Sequence, residues 1–148
     1  MKHTVVVGAF LLMAVGGNAT AACEDSGYTK QVKATGANSI ENTLSGKRIL
    51  ATGDDGEWNE DHCANGALYK VGVSPDDPVD PRAYRGTWEV SDSGEDSEVT
   101  YHYTVGGNSS FSWKLWQDKS GNLCWEDGGS IIATAPAPGP LSGTCEIP

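Results

Sequence analysis

In EVTYHYTVGGNSSFSWKLWQ, residues 98–117, large apolar side chains alternate with polar ones on both sides of a glycine pair. The apolar set consists of Val99, Tyr101, Tyr103 and Val105 before the glycines and Phe111, Trp113 and Leu115 after them. Because strand side chains alternate between two faces, this pattern predicts two strands that each bury one face. The connection GGN (Gly106–Asn108) predicts a hairpin that pairs Tyr103 with Phe111 and Tyr101 with Trp113.

The same alternation extends to the neighbouring segments. The next turn is predicted to centre on Lys119, which pairs Leu115 with Leu123 and Trp113 with Trp125. A Gly128-Gly129 turn then pairs Trp125 with Ile132. Trp88 and Val90 join the same face from the preceding strand. Strands are therefore predicted at Lys47–Thr52, Glu57–His62, Ala67–Val73, Tyr84–Val90, Glu98–Val105, Ser109–Gln117, Asn122–Glu126 and Ser130–Ala135.

Short strands with local turns must cover both edges of their sheet. Closure achieves this, so we predict an all-β antiparallel up-and-down meander that forms a small eight-stranded barrel. A two-sheet β-sandwich is the alternative. One short N-terminal helical turn is expected at Ser39–Leu44, capped by Ser39 or Asn38. The barrel domain would span residues 39–135, between a loosely held polar arm (23–38) and a Pro/Gly-rich C-terminal strap (136–148).

Residues 1–22 have the pattern of a secretory signal peptide. Lys2 precedes the apolar run Val5–Val15, and small residues follow up to Ala21 and Ala22. The apolar run is shorter than the roughly 20 residues of a membrane span, so we expect a secreted or periplasmic protein without membrane insertion. The formal net charge of −10 disfavours nucleic acid as a partner.

The four cysteines, Cys23, Cys63, Cys124 and Cys145, predict two disulfides, because an exported chain with an even number tends to pair them. Lipidation of Cys23 next to the cleavage region is the alternative. If Trp125 faces inward, Cys124 faces outward, where the Pro-rich strap could bring Cys145 to it. Cys23 would then pair with Cys63.

The stretch SPDDPVDPRAYRGTW, residues 74–88, combines acidic residues with prolines: Asp76, Asp77 and Asp80 with Pro75, Pro78 and Pro81. The carboxylates could bind a hard cation such as calcium. Proline, however, fixes φ and donates no ladder hydrogen bond, and the EF-hand pattern is absent. We therefore expect a rigid corner between strands, with no metal and no cofactor.

The stretch TGDDGEWNEDHC, residues 52–63, is the first candidate for catalytic chemistry. Glu60 and His62 would share one strand face with Trp58, and a carboxylate near an imidazole can serve acid–base catalysis or bind a metal. The alternation also fits a solvated hairpin with Trp58 buried, which is the interpretation we favour. His102 should point outward, and no GxSxG, HExxH, P-loop or CxxC motif occurs.

The aromatic face predicts the candidate ligand-binding residues Trp88, Tyr101, Tyr103, Trp113 and Trp125. Side chains of this size would fill most of an eight-stranded barrel. Any cavity should then be small, lie at one end and be edged by the Tyr101 and Tyr103 hydroxyls, because buried phenols need partners. Such a cavity suits a compact, partly polar molecule.

Two resemblances accompany these patterns. The order LSGKRIL, EWNEDH, ALYKVG, DPVDP, GTW and VTYHY, over residues 44–127, resembles a group of small exported proteobacterial proteins of unassigned function, which implies no activity. Gly86-Thr87-Trp88 is similar to the G-x-W motif of lipocalins, ligand-binding barrels of the calycin group. In lipocalins the motif lies on the first strand. Here it lies mid-chain, so it transfers no ligand residue.

Three functional hypotheses follow. The leading one is an exported non-enzymatic β-barrel that binds a small, partly polar ligand or a protein partner. The first alternative is a hydrolase-type enzyme using the Glu60/His62 strand. The second is a structural or inhibitory surface protein, for which an exposed apolar patch around Trp116 would be expected.

Overall fold

The structure is a computed structural model that describes residues 22–33, 36, 38–54, 56–72, 82–91 and 94–148. Residues 1–21 of the expected signal peptide lie outside the described residues. The acidic part of the expected corner, Asp76–Asp80 with its three prolines, also lies outside them.

Eight antiparallel strands close into a barrel, which confirms the predicted all-β fold and excludes the sandwich. Each strand pairs with the next along the chain, and the last closes on the first through the pairs Thr52–Thr134 and Gly53–Ala133. Closure leaves no open edge in the main sheet. The barrel strands are β2 (Lys47–Gly53), β3 (Gly56–His62), β4 (Ala67–Val71), β5 (Ala83–Val90), β6 (Val99–Tyr103), β7 (Ser109–Gln117), β8 (Leu123–Asp127) and β9 (Ser130–Ala135).

Five shorter elements flank the barrel: α1 (Ala22–Asp25), β1 (Thr29–Lys30), α2 (Ile40–Leu44), a 3-10 turn (Gly94–Asp96) and β10 (Gly139–Pro140). The predicted helical turn is α2, and Ser39 is its cap, since the Ser39 side chain accepts a hydrogen bond from the Asn42 N–H at 3.3 Å. Ile40 and Leu44 of α2 are fully buried in the main core. Helix α2 thereby covers one end of the barrel.

The predicted β6–β7 register is wrong by two residues. Tyr101 pairs with Phe111 and Val99 pairs with Trp113. The physical reason lies on β5, where the Arg85 carbonyl accepts hydrogen bonds from the N–H groups of Thr104 and Val105. These bonds end β6 early and lengthen the connection. Because a shift of two residues preserves the alternation, each side chain keeps its predicted face.

The β7–β8 register differs from the prediction by the same amount. Trp125 pairs with Leu115, and Leu123 pairs with Gln117. Asp118 holds the longer turn, since its carboxylate accepts from the N–H groups of Ser120 at 2.8 Å and Asn122 at 2.9 Å.

The Gly128-Gly129 turn between β8 and β9 is confirmed by the pairing of Asp127 with Ser130. A bulge between Trp125 and Glu126 then places Ala133, rather than the predicted Ile132, opposite Trp125.

The N-terminal arm is anchored to the barrel rather than loosely held. Cys23 is fully buried, and its backbone N–H donates to Glu126 Oε2 at 3.0 Å. Strand β1 pairs with β7, and Cys23 and Tyr28 of the arm pack in one cluster with Trp116, which is only 6% exposed. The exposed patch expected around Trp116 is therefore absent from the described surface.

The disulfides are two, as predicted, but the predicted pairing is wrong. Cys23 is bonded to Cys124, and Cys63 is bonded to Cys145. Cys124 does face outward, yet the arm covers it there instead of the C-terminal strap. Two disulfides fit an oxidising extracellular or periplasmic environment. Within the described ranges, every helix is too short or too polar to cross a membrane.

The C-terminal strap follows a different path from the predicted one. It pairs with β2 through Gly139 and Arg48, and then crosses the outer side of β3. There the Ser142 N–H donates to both carboxylate oxygens of Asp61, at 3.1 and 3.2 Å, and Arg82 Nε donates to Asp61 Oδ2 at 2.7 Å. This buried ion pair, together with the bond from Cys145 to Cys63, fixes the strap to the wall.

Candidate functional site

A cleft of about 400 Å³ opens at the barrel end opposite α2. Its walls come from β3, β6, β7 and β9 and from the turn after β2. The lining residues are four aromatic, two aliphatic and two acidic: Trp58, Tyr103, Phe111 and Trp113, Ile131 and Ile132, and Asp54 and Glu60. The cleft therefore combines an extensive apolar wall with a small number of carboxylates.

The aromatic wall is built by the alternation that defines β6 and β7. The Phe111 ring centroid lies 5.5 Å from that of Trp113 and 6.1 Å from that of Tyr103. Phe111 is 44% exposed and Ile131 is 40% exposed, although both are large and apolar. Exposed apolar side chains that line one concave surface are typical of a binding site.

Glu60 brings a buried carboxyl group to this apolar cleft. It is 4% exposed, and the Tyr103 hydroxyl donates to its two oxygens at 3.0 and 3.3 Å. Burial raises the pKa of Glu60 from 4.5 to about 7, against the smaller opposing effects of the Tyr103 hydrogen bond and of Lys70 and Arg85. Among the described residues, Glu60 forms no ion pair.

His62 lies on the same face of β3 but deeper in the barrel. It is 1% exposed, and its Nε2 is 3.2 Å from the Tyr101 hydroxyl, which accepts a hydrogen bond from Trp125 Nε1 at 3.1 Å. Burial lowers the pKa of His62 to about 4 and raises that of the Tyr101 hydroxyl. His62 therefore belongs to a closed polar group within the core, and it does not line the cleft.

The favoured interpretation of residues 52–63 as a solvated hairpin is wrong for Asn59–His62, which are buried, whereas Thr52, Asp54 and Glu57 are exposed and Trp58 packs against the core. The predicted alternation holds, with Trp58, Glu60 and His62 on one face of β3, but that face points into the barrel. The opposite face is also covered where the strap lies over Asp61, which is fully buried. Both faces of β3 are thus buried from Asn59 to His62, because parts of the chain distant in sequence pack on them, while Glu57 stays exposed on the outer face.

The five predicted ligand residues separate into two layers. Tyr103 and Trp113 line the cleft, whereas Trp88, Tyr101 and Trp125 are at most 6% exposed in the packed core. The Tyr103 hydroxyl donates a hydrogen bond to Glu60 in the cleft, whereas the Tyr101 hydroxyl accepts one from Trp125 inside the core. The cleft is small and lies at one end of the barrel, as predicted for the cavity.

Five lining residues were not among the predicted ligand-binding residues: Asp54, Trp58, Phe111, Ile131 and Ile132. The signal available was the position of Trp58 on the same strand face as Glu60. Ile131 could not be inferred, because the β8 bulge changes the register at that point. Asp54 follows β2 in the turn to β3, and no motif marks it.

Two further observations concern His102 and the possibility of a metal site. His102 points outward, as predicted, with Nδ1 2.7 Å from the Ser110 hydroxyl and Nε2 3.0 Å from Glu89 Oε1. Over the described part of the chain, no three His, Cys, Asp or Glu side chains are grouped so that they could hold a metal ion.

Comparison of the chain with protein-family models, with curated proteins and with solved structures returns no match.

Proposed function

We propose that this protein is an exported, non-enzymatic β-barrel that binds one compact, partly polar ligand in the cleft. The observation that carries the proposal is the cleft itself, a concave site of about 400 Å³. Small-molecule sites are typically concave, largely apolar and supplied with a few placed polar groups, in a volume of roughly 300–1,000 Å³. Here Glu60 and the Tyr103 hydroxyl supply those polar groups.

The division of the barrel into a packed half and an open half supports this proposal. Trp88, Tyr101 and Trp125 fill the interior towards α2, so a ligand in the cleft would rest on a rigid floor. A long acyl chain has no space beyond this floor. Export is proposed from residues 1–22, and the two disulfides agree with it.

The geometry favours binding over hydrolysis. An acid–base pair made of Glu60 and His62 would need both groups to reach the substrate. His62, however, is 1% exposed and hydrogen-bonded inside the core. Of this pair, only Glu60 lines the cleft, and its hydrogen-bond partner there is a phenol rather than a nucleophile paired with a base.

Titration with N-phenyl-1-naphthylamine, a neutral aromatic probe whose fluorescence rises in apolar sites, tests the proposal. We expect saturation at one probe per chain. Phe111→Ala should weaken binding by about tenfold, since it removes a wall of the cleft at a cost of about 1.4 kcal/mol. Ile147→Ala is the matched control, because Ile147 is 56% exposed and lies outside the cleft.

Two results would contradict the proposal. One is fluorescence that does not saturate. The other is equal weakening by the Phe111 and Ile147 substitutions, which would indicate adsorption to exposed apolar surface. If the probe does not bind but the isolated protein self-associates through Phe111 and Ile131, the cleft would instead be a protein-binding surface.

A further inference from the structure

We infer that the ligand of the cleft is a compact organic cation, whose ammonium group lies among the aromatic side chains and faces Glu60. This inference rests on the proposed function and adds the chemical class of the ligand.

The charged groups among the described lining residues are all acidic. Asp54 lies at the mouth and Glu60 lies at the base, and the eight described lining residues include no Lys, Arg or His. The formal net charge of the whole chain is −10. Field lines converge in clefts lined by one sign of charge, so this site would attract cations and repel carboxylates and phosphates.

The aromatic wall provides the second element of cation recognition. Four aromatic side chains line the cleft: Trp58, Tyr103, Phe111 and Trp113. A ring attracts a cation over its face through its quadrupole, and the attraction is strongest for Trp and where water is excluded. Quaternary and alkylated ammonium groups gain most from such a site, because their methyl groups also bury apolar area.

Glu60 provides the third element. A buried carboxylate is unfavourable unless a positive charge or several hydrogen-bond donors compensate it. Among the described residues, the Tyr103 hydroxyl is the one side-chain donor to Glu60. Lys70, opposite Glu60 on β4, and Arg85 on β5 act on it as positive charges that compensate only part of the cost of burial. Neither lines the cleft or forms an ion pair with Glu60. A ligand cation would supply the missing charge.

A divalent metal ion fits this site less well than an organic cation. Hard cations need several oxygen ligands within about 2.0–2.6 Å. The described residues contain no cluster of three acidic, His or Cys side chains suited to a metal, and most of the lining is aromatic or aliphatic. An organic cation uses these apolar walls, which a metal ion does not.

Isothermal titration calorimetry with choline and with its neutral isostere 3,3-dimethyl-1-butanol tests the inference. The two molecules share one shape and differ by a positive charge. At about pH 8 we expect choline to bind at least about tenfold more tightly than the isostere. Glu60→Gln should reduce this preference markedly, because the amide keeps the size and the hydrogen bond from Tyr103 but removes the charge; the aromatic rings and Asp54 would sustain only the remainder.

Glu57→Gln is the matched control. Glu57 lies on the same strand, is exposed on the outer face and carries the same charge, so this variant should keep the choline preference. A melting profile of each variant checks folding. Should Glu60→Gln fail to fold, the pH dependence of the parent protein still tests the inference.

Choline itself does not titrate near neutral pH, so the pH dependence reports the protein. With the pKa of Glu60 at about 7, choline affinity should fall about tenfold between about pH 8 and pH 6, as the carboxylate becomes protonated. His62 stays neutral over this range because its pKa is lowered to about 4. The Glu60→Gln variant retains Asp54, Lys70 and Arg85, and therefore separates their effects from that of Glu60.

Equal affinity for choline and the isostere, or a choline preference that Glu60→Gln leaves undiminished, would overturn the inference. If N-phenyl-1-naphthylamine binds in the cleft while choline does not, the binding function stands and the cationic ligand is refuted. If neither compound binds, both proposals fail.

Discussion

The buried Glu60 carboxyl should make the free energy of unfolding depend on pH in a way that Glu60→Gln removes. The pKa of Glu60 is 4.5 before burial and about 7 in the fold, so the folded protein holds a proton that the unfolded chain releases. The stability associated with this proton is fully present below about pH 4.5 and is lost as pH rises through about 7. Integrated over this interval, the loss amounts to about 3 kcal/mol.

His62 contributes with the opposite sign. Its pKa is 6.5 before burial and about 4 in the fold, so its stabilising effect is present above about pH 6.5 and is lost as pH falls through about 4. In the parent protein these two contributions largely cancel between about pH 4 and pH 7. The profile of the parent alone would therefore hide both of them, and the comparison with the variant is required.

The experiment measures urea unfolding of the parent and of Glu60→Gln by tryptophan fluorescence, with disulfides intact, at about pH 4, 6 and 8. The difference, variant minus parent, should rise by about 3 kcal/mol across this range, because only the parent must bury a charged carboxylate at high pH. Glu57→Gln should show a nearly constant difference, since Glu57 is exposed. A Glu60→Gln difference that stays constant or falls with pH would refute the burial of an ionisable carboxyl at the cleft.

Three further predictions concern the framework of the site. Asp61→Asn should destabilise the protein by about 3–5 kcal/mol in urea, because it leaves the Arg82 guanidinium without its carboxylate, and an unchanged midpoint would contradict a buried ion pair. Peptide mapping without reduction should join Cys63 to Cys145, and replacing both with Ser should cost about 2–4 kcal/mol; a peptide that links either cysteine elsewhere would contradict the path of the strap. Trp125→Ala should cost about 3–5 kcal/mol, because the side chain is 1% exposed, and a loss below about 1 kcal/mol would argue against a packed barrel floor.

The alternation in residues 98–117 was sufficient to predict which faces of β6 and β7 are buried, because that property depends only on the period of two residues. It was insufficient for the register. The register is set by the length of the turn, and here the turn is lengthened by hydrogen bonds from Thr104 and Val105 to the Arg85 carbonyl on another strand. Local sequence contains no signal for such a contact.

The prediction of the disulfide partners and that of the site residues were limited for the same reason: both depend on contacts between parts of the chain that are distant in sequence. The even number of cysteines predicts two bonds, whereas their partners depend on where the arm and the strap pack. Tyr103 and Trp113 could be assigned to the interior from their alternation. The burial of Glu60 could not, because both faces of β3 are polar and composition alone does not tell which one the barrel encloses.

The binding cleft can be tested most directly through the indole N–H signals of the five tryptophans in a two-dimensional NMR spectrum. Each signal is assigned by a single Trp→Phe substitution, and the spectrum is recorded during titration with choline and with N-phenyl-1-naphthylamine. If ligands occupy the cleft, the Trp58 and Trp113 signals move in a saturable manner, while those of Trp88, Trp116 and Trp125 stay nearly fixed. Movement confined to Trp116, or no saturable movement of Trp58 and Trp113 with either compound, would contradict a ligand site at this end of the barrel.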